Sequence, residues 1–384
     1  MRRPKNIIIG IVAFLLALSG LFAQQIWQTK NSVNPPPQDL FINRELNQWT
    51  EPEDKSKLIT SSTSEIASYK KNICTDPNTY FDCYQKYYKN LTKDVSVAAA
   101  FADLKKRYND ETYIRAQCHP LSHIIGRTAA QKYASPSAAY TEGDSFCWSG
   151  YYHGVLEGII AKIGITNLPK KMDTICADIP GKDRYSFDYY NCVHGLGHGV
   201  MSLTHDELFK SLEYCDLLTG RGNWEQVSCA SGAFMENIIE DGLNHKTKYL
   251  KPEDPLYPCN ASPEKYRNTC YLMQTSYVLK TNGYNFSKTF DVCSNAEEKY
   301  RNTCYQSLGR DASGQSTSNV AQTKATCLLG KDTEQQSQCI IGAVKDFISY
   351  LHNADRAHEL CNSFENTELK NTCIKTADEY VKVL

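Results

Sequence analysis

Sixteen cysteines occur in the 384 residues, yet no two of them form a CxxC. That absence argues against zinc-ribbon and thioredoxin-like chemistry, which rest on closely spaced thiols. GxSxG, HExxH and P-loop patterns are missing as well. The usual signatures of serine hydrolases, zinc proteases and phosphate-cradling loops are therefore absent. An excess of either charge is also lacking: 42 Lys and Arg stand against 43 Asp and Glu, for a net charge of −1. Such a chain offers no electrostatic case for nucleic acid as a partner. Beyond residue 23, no apolar run is long enough to cross a bilayer.

The N-terminus does carry such a run. MRRPKN is basic, and residues 7–23 are apolar throughout. This order reads as a signal peptide or a signal anchor over residues 1–23. Leu21 is large for a position two residues before a cleavage site at Ala23, which favours an uncleaved membrane anchor. Either outcome places the rest of the chain outside the cytoplasm, tethered or secreted. Residues 24–64 contain NPPPQ followed by polar sequence without periodicity, the composition of a linker.

An even number of cysteines in an exported chain points to disulfides. They fall into neighbouring pairs: 74/83, 118/147, 176/192, 215/229, 259/270, 293/304, 327/339 and 361/373. The first members of the last four pairs, Cys259, Cys293, Cys327 and Cys361, recur every 34 residues, and EKYRNTCY occurs at 264–271 and again at 298–305. A period of this length is the mark of stacked helix pairs. It is similar to the period of tetratricopeptide-type arrays, although the aromatic and Leu-Gly signature of that family is absent. The stapled design resembles cysteine-rich Sel1-like repeats. Both likenesses are architectural. The expected fold is an all-α, disulfide-stapled helical-repeat solenoid, with a His-rich domain over 65–250 and regular repeats over 251–384.

Within one repeat, Ser262 is the expected N-cap and Pro263 the first helical residue. The helix should end near Asn282-Gly283, and a shorter helix should close at Cys293. One cysteine then ends the short helix and the next lies in the following long one, so each bond clips neighbours across a turn.

Upstream copies share the cysteine register and add polar pairs spaced i, i+4: His119/His123, His153/Glu157, His194/His198 and Glu236/Glu240. That spacing puts both members on one helix face. Five of the nine histidines lie in these segments. If the long helices stack side by side, the pairs converge. Imidazole with carboxylate suits zinc, iron or copper. The expected metal ligands are His119, His123, His153, His194 and His198. Glu157 and Glu236 are expected as further ligands or as general bases in a hydrolase or oxidoreductase. Gly195, Gly197 and Gly199 would let backbones approach closely, and Tyr151 and Tyr152 would supply hydroxyls behind the ligands. The plainer reading of the same pattern is a buried hydrogen-bond network that pins helices together. The histidines would then be structural, and the protein a helical-repeat scaffold offering its surface to a protein or peptide partner. Pro120 kinks or starts a helix. His205 reads as a surface histidine, and Arg310-Asp311 as a structural ion pair.

Overall fold

The computed structural model describes residues 74–383, apart from short breaks at 77–78, 134, 145, 148, 221, 240–246, 317–318 and 350–353. The signal or anchor segment, the linker and Glu240 lie outside the described residues. All regular structure among the described residues is helical, with one isolated bridge between Lys251 and Asp254.

In chain order the α-helices are α1 (Tyr80–Asp94), α2 (Val97–Asp110), α3 (Thr112–Ala116), α4 (Cys118–Lys132), α5 (Pro136–Thr141) and α6 (Gly150–Ile163). Then come α7 (Met172–Ile175), α8 (Phe187–Leu203), α9 (Leu208–Cys215), α10 (Trp224–Ile239), α11 (Glu264–Thr281) and α12 (Phe286–Ser294). The last are α13 (Glu298–Gln315), α14 (Val320–Cys327), α15 (Thr333–Ser349), α16 (Ala354–Asn362) and α17 (Thr367–Val383). The long helices pack in sequence order: α4 on α6, α6 on α8, α8 on α10, α10 on α11, and so on through α13, α15 and α17.

The local signals explain the helix ends. Ser96, Ser135 and Ser186 accept from the backbone N–H three residues on, capping α2, α5 and α8. Pro120 sits in the first turn of α4, where its missing N–H costs no intrahelical bond. The α11 helix stops at Thr281, and Gly283 follows at φ +70°, a conformation glycine adopts without penalty. Ser262 departs from expectation. Its hydroxyl donates to the Pro258 carbonyl, and α11 begins at Glu264 with no side-chain cap.

All eight expected disulfides are present, and no described cysteine is free. From Cys215–Cys229 in α9 and α10 to Cys361–Cys373 in α16 and α17, most join a short helix to the long helix after it. Eight disulfides mark a chain suited to an oxidising, extracytoplasmic environment. No described helix is long and apolar enough to cross a membrane.

Two apolar clusters fill the interior. The first runs from Tyr84 to Cys229, and the second from Met201 to Tyr380. They meet in α8 and α10, which contribute to both: Val200 and Cys229 to the first, Met201 and Ala230 to the second.

Glycine sets the closest helix approaches. A Cβ on Gly126 of α4 would stand 2.0 Å from the Tyr151 carbonyl oxygen, and one on Gly154 of α6 would stand 2.1 Å from that of His123. Between α8 and α10 the same reciprocity holds: a Cβ on Gly197 would stand 2.0 Å from the Cys229 carbonyl oxygen, and one on Gly232 would stand 1.9 Å from that of His194. No other residue fits such a contact without moving a helix.

Candidate metal centre

These close approaches bring the polar pairs together. His119 and His123 project from α4, His153 and Glu157 from α6, His194 and His198 from α8, and Glu236 from α10. His123, His153, Glu157, His194, His198 and Glu236 are all buried, and His119 is partly exposed. The histidine rings form one cluster, with His123 5.5 Å from His198 and His153 4.1 Å from His198, centroid to centroid. Among the described residues, three overlapping groups have donor atoms close enough to hold a metal ion: His119, His123 and His153; His153, His194 and His198; and His123, Glu157 and His198.

The hydrogen bonds fix which ring nitrogen faces inward. The His119 Nδ1 donates to the Cys147 carbonyl at 2.7 Å. The His123 Nδ1 donates to Glu157 Oε1 at 2.5 Å, and the other Glu157 oxygen accepts from Arg127. The His198 Nδ1 donates to Glu236 Oε2. His194 Nδ1 lies 2.6 Å from the Ser231 hydroxyl, which itself donates to the Ser228 carbonyl and so accepts from the histidine. All four partners are acceptors at these contacts, so all four Nδ1 atoms carry the proton. In the neutral rings the Nε2 atoms are then bare lone pairs. They face each other within each pair, 3.0 Å apart for His119 and His123 and 3.2 Å for His194 and His198.

Two buried acceptors in contact with nothing to share cost roughly 1–3 kcal/mol each. Something positive belongs between them. The spacing is close to the roughly 3.3 Å that separates two nitrogens on a tetrahedral ion with bonds of about 2.0 Å. The remaining contacts are those that orient a ligating histidine: a carboxylate or carbonyl on the nitrogen away from the metal.

Burial and the neighbouring His123 push the imidazolium pKa of both His119 and His194 down to about 3. Burial, then the other rings, holds His153 and His198 well below the usual range. These rings are neutral at pH 7, the form that binds metal. Burial works against the Glu157 carboxylate, but His123 and Arg127 together hold its pKa at about 2.

Sequence reasoning missed three members of this arrangement. Arg127 continues the i+4 series of His119 and His123. Ser231 stands two after a cysteine, the register of His194. Tyr190 lies four before His194 and brings its hydroxyl to 3.4 Å from the His194 Nδ1. The expected hydroxyl from Tyr151 goes elsewhere, to the Ala139 carbonyl. Tyr152 packs on Tyr140 and Tyr151. Tyr151 and Tyr152 precede His153 by two residues and one, and each residue along a helix turns the side chain about 100°, off the shared face.

His205 is exposed after the end of α8. Arg310 and Asp311 form the expected ion pair, and Asp311 also accepts from Thr275 and Ser276. His245 and His352 lie outside the described residues. His358 pairs with Asp378 at 3.6 Å. Comparison of the chain with protein-family models, with curated proteins and with solved structures finds no match.

Proposed function

We propose that this chain is an extracytoplasmic metal-binding protein whose metal ligands are drawn from His119, His123, His153, His194 and His198. The observation that carries the reading is the pair of bare Nε2 contacts, each fixed by an oxygen behind both rings. Glu157 and Glu236 serve in this reading as orienting carboxylates, each spending an oxygen on a histidine Nδ1. An all-nitrogen inner set suits zinc, copper or iron. The metal's identity decides whether a hydrolytic or a redox reaction is the one to assay. The N-terminal run 1–23 would anchor the body to a membrane through the linker 24–64. Stacking of successive long helices supports a TPR/Sel1-like repeat array, with a His-bearing half over 65–250 and a regular half over 251–384.

The test is elemental analysis of the oxidised protein purified without chelator or His-tag, beside a His194→Ala/His198→Ala double variant. Stoichiometric metal in the wild type, lost from a folded variant, is the expected result. No metal in either, with the variant merely less stable, overturns the reading. The second reading, a non-enzymatic repeat scaffold for a protein or peptide partner, would then stand. It is favoured by α11–α17, which continue the stacking without the histidines and expose Leu328 and Leu329.

A further inference from the structure

His153 differs from the other four histidines in one respect. Each of those commits Nδ1 to an oxygen and offers Nε2 alone. The Nδ1 of His153 is buried without a hydrogen-bond partner, although its side chain is only 1% exposed. An orphaned buried nitrogen costs roughly 1–3 kcal/mol. Its helix, α6, lies between α4 and α8, the helices that carry the two pairs. His153 is also the one histidine shared by the two all-histidine groups: His119 and His123 on one side, His194 and His198 on the other.

We propose that the cluster is a two-ion centre in which His153 bridges the metals, one at each HxxxH pair. This rests on the metal-binding reading above. Each ion would take two Nε2 atoms from its own pair and one nitrogen from His153. The bridge forms when the ring's single N–H proton leaves to solvent, so that both nitrogens donate lone pairs and no electron is transferred. The other four rings cannot play this part without giving up their oxygen partners.

The ring now lies nearly parallel to His198, with an interplanar angle of 13°. One ion cannot lie in the planes of two parallel rings, so His153 must turn to bridge. Its unbonded Nδ1 leaves that rotation free of any hydrogen bond to break. A single ion would instead leave one of the two facing Nε2 pairs unsatisfied, at the cost already stated.

The test uses the full-length, disulfide-bonded chain titrated with Cu(II) and followed by copper content and electron paramagnetic resonance. Two copper ions per chain are expected. The resonance should be ordinary at one equivalent and fall to a small fraction of two spins at the second, because a bridging imidazolate couples the ions antiferromagnetically. In His153→Gln, two ions should bind more weakly and give the full intensity of two isolated sites, with circular dichroism reporting that the helices persist. His153→Ala provides a second variant should the glutamine fail to fold. One copper per chain in the wild type overturns the two-ion centre and leaves the metal-binding reading standing. Two ions at full wild-type intensity overturn the bridge. No copper bound overturns both.

Discussion

The Gly232 Cα faces the His194 carbonyl oxygen so closely that a Cβ would stand 1.9 Å from it. The residue that spaces α8 from α10 therefore touches the backbone of a candidate ligand. Gly232→Ala must separate the two helices. Overpacking typically costs about 1–3 kcal/mol, and a backbone oxygen yields less than a side chain, so the upper end is expected in urea unfolding. Weaker metal binding should accompany it, since the His198 to Glu236 bond spans the same gap.

Replacing an orienting carboxylate leaves the inner nitrogens in place. Glu236→Gln should lower metal affinity by roughly 10–100-fold, the usual effect of losing such a partner. Competition against a chelator of known affinity measures this. Unchanged affinity would remove Glu236 from the site.

Acid should destabilise the metal-free protein. His119 and His194 are held neutral by burial, with pKa values of about 3 in the folded chain against 6.5 when unperturbed. The unfolded state binds more protons in that window. Stability is therefore fully present above pH 6.5 and falls as pH drops toward 3, by up to roughly 1.4 kcal/mol per pH unit for each ring. Thermal melts of metal-free wild type and His119→Gln/His194→Gln between pH 7 and 4 should converge as the pH falls.

A second buried group titrates the other way. Asp346 on α15 is 3% exposed, and neither carboxylate oxygen has a hydrogen-bond partner. Burial pushes its pKa up to about 7, against the pull of the Arg310 charge. The unfolded chain releases this proton near pH 4. The folded state is thus progressively penalised as pH rises from about 4 to 7. Asp346→Asn should be more stable than wild type at pH 8 and lose that advantage at pH 4, which denaturant titration at both values decides.

Removing one staple probes the scaffold apart from the site. Cys215–Cys229 closes a separation of 14 residues, for which the chain-entropy estimate is about 3 kcal/mol. Cys215→Ser/Cys229→Ser should lose about that much stability in urea while keeping its metal.

Much of this was legible in the chain because it is local. Each disulfide joins cysteines adjacent along the sequence, so Cys74 through Cys373 could be paired by order alone. The i, i+4 spacing named the faces of α4, α6 and α8, and the cysteine register put those faces side by side. What spacing did not reveal was the partner on the far side of each ring. The Cys147 carbonyl reaches His119 from the loop before α6, where Cys147 and Ser149 have positive φ. No side-chain pattern encodes a backbone oxygen. Tyr151 was misplaced because adjacency in sequence is not adjacency on a helix, whereas Tyr190 shares its face with His194. Ser262 failed as a cap because the Pro258 carbonyl captures its hydroxyl.

The reciprocal glycine contact recurs where no histidine is present. A Cβ on Gly309 of α13 would stand 1.8 Å from the Cys339 carbonyl oxygen, and one on Gly342 of α15 would stand 1.9 Å from that of Gln306. The helix spacing is thus shared by successive packed long helices, with or without histidines. Side chains that reach inward across such a gap start from backbone positions fixed by contact, so only rotation about their own bonds can adjust them to the guest. An ion of the wrong radius or preferred angle would meet a backbone frame that does not give. Discrimination among metals would then come from the geometry of the rack more than from the chemistry of the nitrogen.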